Sequence, residues 1–136
     1  MKRISARAII FDKNYFYAFY RRKVEEGRVH EYFSIPGGGV EVNETLEDTV
    51  KRELKEEFGV DIKLLGFLGS LETDTCIFNY FHAEIIKGIP KLGGEELEKN
   101  SPENYYEIRK INIKEIDDID ILGKEYILNA FYKNYK

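Results

Sequence analysis

Between residues 4 and 11 apolar side chains recur at every second position (Ile4, Ala6, Ala8, Ile10), the period of a strand with one buried face. Asp12-Lys13-Asn14 then supplies turn chemistry, and a second run follows from Tyr15 to Tyr20, so the pair is expected as a hairpin. The charged stretch from Arg21 to Arg28 reads as a loop, and a short strand around Tyr32 to Ile35 leads into a glycine loop, Pro36-Gly37-Gly38-Gly39. The clearest helix spans 45–58: Thr45 is placed to cap it with Asp48 three residues on, acids fill the first turn, and Gly59 stops it. Strands are expected from Ile62 to Leu71 and from Cys76 to Ile86 around a Glu72-Thr73-Asp74 turn. A long loop follows from Gly88 to Asn104, then a last strand from Tyr105 to Ile113 and a closing helix from Glu125 to Tyr135 with Tyr126, Ile127, Ala130 and Phe131 at helical spacing. Strands on either side of a central helix, with a second helix at the end, predict a mixed sheet with helices on both faces, an α/β (α+β) fold.

A chain of 136 residues is enough for one domain, 1–136, that closes its core without disulfides or structural metal. Apolar residues make up 43% and charged residues 34%, ordinary globular proportions that argue against disorder. A net charge of -4 and a pI near 5.3 argue against sequence-independent nucleic-acid binding and imply that a phosphate-bearing substrate needs a bridging cation. The one cysteine, Cys76, lies in an apolar stretch and reads as a buried strand thiol. The apolar run after the basic N-terminus is broken at Asp12, too short for a signal peptide, and no segment approaches the ~18 apolar residues that span a bilayer, so no membrane partner and a cytoplasmic location are expected.

On the helical wheel Leu46, Val50, Leu54 and Phe58 form one apolar arc, and Glu57 projects into it. Glu53, Glu56 and Glu57 fall within roughly 100° of one another, at the i, i+3 and i+4 spacing that makes helical neighbours. Three like charges so placed repel one another and resist desolvation unless a cation neutralises them. Hard oxygen donors with no His or Cys among them favour magnesium or manganese over zinc. The plainer alternative is a solvated acidic face balanced by Lys51, Arg52 and Lys55. The glycines just before the helix weigh against it, because they are entropically costly and suit close approach of backbone to a ligand or metal.

Gly38, Glu44 and the run Arg52-Glu53-Leu54-Lys55-Glu56-Glu57-Phe58-Gly59-Val60 meet every fixed position of the Nudix box, which the chain resembles across residues 38–60. With each of the seven fixed residues at frequencies of ~7% or less, a chance match is below about one in 10⁸ per starting position. The flanking Tyr32-Phe33-Ser34-Ile35-Pro36-Gly37-Gly38 also resembles the lead-in common in this family. Asn43 stands where many members carry glycine, a departure that asparagine's tolerance of a left-handed backbone makes harmless.

The resemblance implies an α/β/α sandwich and metal-dependent hydrolysis of a diphosphate bond in a nucleoside diphosphate derivative by water attack on phosphorus. Carried over residue by residue, Glu53, Glu56 and Glu57 with a backbone carbonyl at Gly38 are the ligands for Mg²⁺ or Mn²⁺. Glu56 and Glu57 are catalytic candidates, and Glu44 with Arg52 is a supporting pair that orients loop and helix. A further carboxylate is sought outside the box among Glu95, Glu96, Glu98 and Glu103, with Glu96 and Glu98 preferred and Glu96 taken as the catalytic one. His30 and His82 have no partner at metal or triad spacing and read as structural or surface residues. The aromatics Tyr15, Phe16, Tyr17, Phe19 and Tyr20 read as core rather than as a stacking face for a base. Family submarkers for ADP-ribose, diadenosine polyphosphates and coenzyme A are not met, Thr75-Cys76-Ile77 standing where the first would place its proline. The substrate is left open among nucleoside triphosphates, nucleotide sugars and similar compounds. A non-catalytic nucleotide sensor is the rival reading, and isomerase chemistry through Cys76 a remote third. Homodimers are common among the proteins it resembles.

Overall fold

The computed structural model describes residues 1–135, with the side chains of residues 95, 96, 134 and 135 outside the description. Seven strands run as β1 (Arg3–Asp12), β2 (Tyr15–Glu25), β3 (Arg28–Ser34), β4 (Gly37–Gly39), β5 (Asp61–Glu72), β6 (Cys76–Lys87) and β7 (Asn104–Asn112). The helices are α1 (Leu46–Phe58), α2 (Gly94–Glu98) and α3 (Lys124–Tyr135), with a 3-10 segment at Ile113–Asp118. The strand order β3-β2-β1-β6-β5, with β4 added to β1 and β7 to β2, is a mixed sheet in which β1 and β6 are parallel.

β1 organises the molecule, because one of its edges changes partner along its length. At its start Ser5, Ala6 and Arg7 pair with Gly39, Gly38 and Gly37 of β4. At its end only Phe11 and Asp12 pair with Phe16 and Tyr15 of β2, so β2, β3 and β7 swing away from it. The strand is buried on both faces: Ala6, Ala8 and Ile10 meet Val50, Leu54 and Phe58 of α1, while Ile9 joins a second cluster with Tyr80, Ile127 and Phe131 on the α3 side. Ile4, expected on the inner face, is 45% exposed at the strand's start. The result is the sandwich of helices on both faces of a mixed sheet that the order of elements implies.

Three expectations are corrected. Residues 21–28 are not a loop: β2 continues to Glu25 and returns as β3 through a two-residue turn, Glu26-Gly27, both with positive φ (51° and 77°). Left-handed residues at both turn positions match the twist of the flanking strands, and Arg22 opposite Glu31 and Glu25 opposite Arg28 pair unlike charges across the exposed hairpin. The glycine loop is in fact the short edge strand β4. The long loop after β6 carries α2 within it. The helix α1 is as expected: Thr45 Oγ1 accepts from the Asp48 N–H at 3.0 Å, and Gly59 closes the helix in the left-handed region at φ 71°. Among the described residues no helix is long and apolar enough to cross a membrane.

Candidate active site

The change of partner along β1 opens a cleft of about 1000 Å³. One wall is Glu53, Glu56 and Glu57 of α1 with Glu98 and Gly94, the floor is β4 with Arg3, Arg7, Phe78 and Tyr80, and the far wall is Arg21, His30, Tyr32 and Tyr106. The three helical carboxylates each present an oxygen within 4.8 Å of the others. Two of them are drawn in from solvent: Glu57 is 8% exposed and the Glu53 side chain 15%, whereas Glu56 keeps 51%. Glycines make this approach feasible. A Cβ on Gly38 would lie 2.4 Å from the Glu53 carboxyl carbon, and one on Gly94, itself at φ 59°, would lie 2.6 Å from Glu57 Oε1.

β4 sets the backbone groups of the site as well. In an antiparallel ladder alternate residues turn their peptide groups toward the partner. Ala8 N–H donates to Pro36 O and Val40 N–H to Ile4 O on either side of the Ala6–Gly38 pair, which turns the Gly38 carbonyl toward β1 and those of Gly37 and Gly39 away from it. The Gly39 carbonyl accepts from Arg52 Nη2 at 3.2 Å. The Gly38 carbonyl, expected as a metal ligand, is thus turned to β1 and that of Gly39 to Arg52, while the missing side chain of Gly38 leaves room for Glu53.

Arg52 is the hub beneath the acids. Its Nε and Nη2 donate to the two oxygens of Glu44 at 2.7 and 3.0 Å, the forked geometry of a strong guanidinium–carboxylate pair. Its Nη1 reaches Glu53 at 2.9 Å and Glu56 at 3.3 Å, so the supporting pair also touches the acidic cluster. Glu44 further accepts from the Thr49 hydroxyl at 2.7 Å and the Glu41 N–H at 3.1 Å. Asn43, with φ 65°, turns the chain into this network in the left-handed conformation expected of it.

Arg52 first, then Thr49 and the Glu41 N–H, hold the Glu44 carboxyl down at about 2, against an ordinary 4.5. The stabilisation from this depression is complete above the ordinary carboxylate range and is lost as pH falls toward about 2. Melting curves between pH 5 and pH 2 are expected to fall less steeply for Glu44→Gln than for the unaltered chain. Equal slopes would remove Glu44 from the acid response.

Of the acids sought outside the box, Glu98 lines the cleft. The side chains of Glu95 and Glu96 lie outside the described residues. Glu103 sits at the far end of β2, its carbonyl accepting from Val24 N–H, and is not among the residues lining the cleft. His82 is buried against Phe11, as a structural residue would be, and His30 stands at the cleft's outer end beside Tyr32. Phe16, Phe19 and Tyr20 are core, although Phe19 also touches the cleft. Cys76 begins β6 half-buried rather than buried, with the Thr75 hydroxyl donating to its sulfur. Sequence reasoning passed over Arg7 and Gly94. The available signals were an arginine inside an otherwise small and apolar strand run and a second glycine pair, Gly93-Gly94, in the loop after β6.

The family model described as NUDIX domain matches residues 1–126. The ADP-ribose pyrophosphatase of Methanocaldococcus jannaschii is 40% identical over 72 residues, which cover 48% of this chain and 43% of that protein; the match thus spans less than half of the relative's length. Among solved structures, an ADP-ribose pyrophosphatase from Streptococcus suis superposes with a TM-score of 0.67 at 17% identity, covering 100% of this chain and 94% of the other. The MutT protein of Methanosarcina mazei Go1 does so with a TM-score of 0.67 at 19% identity, covering 99% and 96%. At these identities the structural likeness is one of fold.

Proposed function

The chain belongs to the NUDIX domain family, and from that premise we propose that it is a pyrophosphohydrolase that cleaves a diphosphate bond in a nucleoside diphosphate derivative. The observation that carries the reading is the convergence of Glu53, Glu56 and Glu57 to within 4.8 Å at one end of a cleft roomy enough for a nucleotide. Their donor set fits a hard divalent ion: carboxylate oxygens with neither imidazole nor thiolate among them, three charges that the single cation Arg52 offsets only in part. Glu53, Glu56 and Glu57 would hold Mg²⁺ or Mn²⁺ with a carbonyl from the Gly37–Gly39 strand. The ion would supply positive charge against the phosphoryl oxygens.

The chain's own contribution is orientation and proton transfer. Arg52 and Glu44 lock the first turns of α1 against β4 and so fix the angle at which the glutamates meet the cleft. Glu53 and Glu57, withdrawn from water, serve as ligands. Glu56, the most open of the three, is our candidate to take the proton of the attacking water, with Glu57 and Glu96 as the alternatives. The names of the relatives put ADP-ribose beside nucleoside triphosphates and nucleotide sugars in the substrate panel.

The test is release of phosphate and nucleotide products from that panel, with Mg²⁺ or Mn²⁺ and with or without EDTA. Cleavage of one compound class that EDTA abolishes is the expected result. Silence across the panel would sink the hydrolase reading and leave a nucleotide sensor.

A further inference from the structure

The cleft carries two opposite charges, divided by β4. Glu53 lies over the Cβ side of Gly38, while the Arg3 guanidinium lies over Gly39, where a Cβ would be 3.0 Å from its Nε and Nη2. Neighbouring residues of a strand face opposite ways, so the acids and Arg3 flank the two faces of one three-residue edge. Arg7, four residues from Arg3 and so on the same face of β1, is paired in register with Gly37 and with Tyr80. It is half-buried and held in place: Nη1 donates to Ile35 O at 2.9 Å, Nε contacts Ser5 Oγ at 3.4 Å, and the guanidinium lies 5.3 Å from the Phe78 ring centre. Two of its five N–H donors are thereby used, and both hydrogens on Nη2 have no partner among the described residues. No carboxylate is hydrogen-bonded to Arg3 or Arg7 among the described residues; Arg3 lies near enough to repel the Arg7 guanidinium and Glu53 near enough to attract it.

A half-buried guanidinium, preorganised by backbone and ring contacts, beside a second cation and with a pair of donors turned to the cleft, suits an anion. Its position says which anion. A ligand held by the glutamate end of the cleft and continuing over the edge of β4 presents its next charged group to Arg7.

We propose that Arg7, assisted by Arg3, binds the phosphoryl group on the side of the scissile bond away from the metal. The inference rests on the glutamates being the metal site. On this account Arg7 contributes to binding rather than to proton transfer.

The probe is inorganic pyrophosphate, titrated calorimetrically into the full chain with Mg²⁺ for the unaltered protein, Arg7→Met, Arg7→Lys and Arg3→Met. Arg7→Met is expected to weaken binding at least about tenfold, with Mg²⁺ affinity unchanged; Arg7→Lys should restore part of the loss, and Arg3→Met should lose several-fold. Arg3 is exposed, so that variant remains informative if Arg7→Met fails to fold, which its melting curve would show. Equal binding by the folded Arg7→Met and unaltered proteins, or no binding by the unaltered protein, overturns the proposal; so does unchanged binding by Arg3→Met if Arg7→Met is unfolded. In the hydrolysis assay the same loss should fall on KM more than on kcat. Loss of pyrophosphate binding in Arg7→Met with a silent substrate panel would leave this subsite standing while the hydrolase reading fell. Hydrolysis with an unchanged KM would do the reverse.

Discussion

Glu57→Gln is expected to lower turnover at least about a thousandfold while the protein stays folded, since a metal-assisted hydrolysis that loses a ligand carboxylate forfeits both the cation's placement and a nearby proton acceptor. The substitution keeps shape and volume, which matters at a side chain 8% exposed and packed beneath Gly94. It also removes one of three mutually repelling charges. Without metal, therefore, the variant should melt at the same temperature as the unaltered protein or slightly higher. Added Mg²⁺ should raise the melting temperature of the unaltered chain, because an ion that binds only the folded state stabilises it, and should raise that of the variant much less. Activity within tenfold of the unaltered protein would remove Glu57 from the site. A variant that melts well below it would show that the carboxylate serves the fold.

Phe58→Ala should cost about 3–5 kcal/mol and lower the melting temperature by roughly 10–20 °C. Phe58 is 0% exposed and stands edge-on to Phe19 at 5.2 Å and Tyr17 at 5.9 Å, so its ring joins the last turn of α1 to β2. Truncation leaves a cavity that neither a helix end capped by Gly59 nor a paired strand can easily close. Because Glu57 precedes it on the same turn, substrate turnover should fall as well, by less than in Glu57→Gln. Chemical denaturation measures the first effect; a loss under about 1 kcal/mol would mean that the core refills.

What could be read along the chain was whatever depends on neighbours within a few residues. The α1 caps, Thr45 and Gly59, and the left-handed turn at Asn43 were recognisable, because each rests on a backbone preference that one residue type satisfies. So was the grouping of Glu53, Glu56 and Glu57, which helical geometry imposes wherever the helix lies. The Glu44–Arg52 pair was legible only through the resemblance of the box to a known family. The strand over residues 21–25 was obscured, since its charges are paired across β2 and β3 and a composition reading sees only polarity.

The sequence by itself thus determined the helix, its caps, the acidic triad and the alternation of strands and helices that implies the fold. Only the tertiary structure decided that β1 changes partner along one edge to open the cleft, that Gly94 comes to stand against Glu57 and Glu98 to line the cleft, and that Arg3 and Arg7 lie across β4 from the acids. The division is physical: helical neighbours are set by a local repeat of 3.6 residues, whereas strand register and the meeting of distant loops are set by which faces can be buried together, a property of the whole chain.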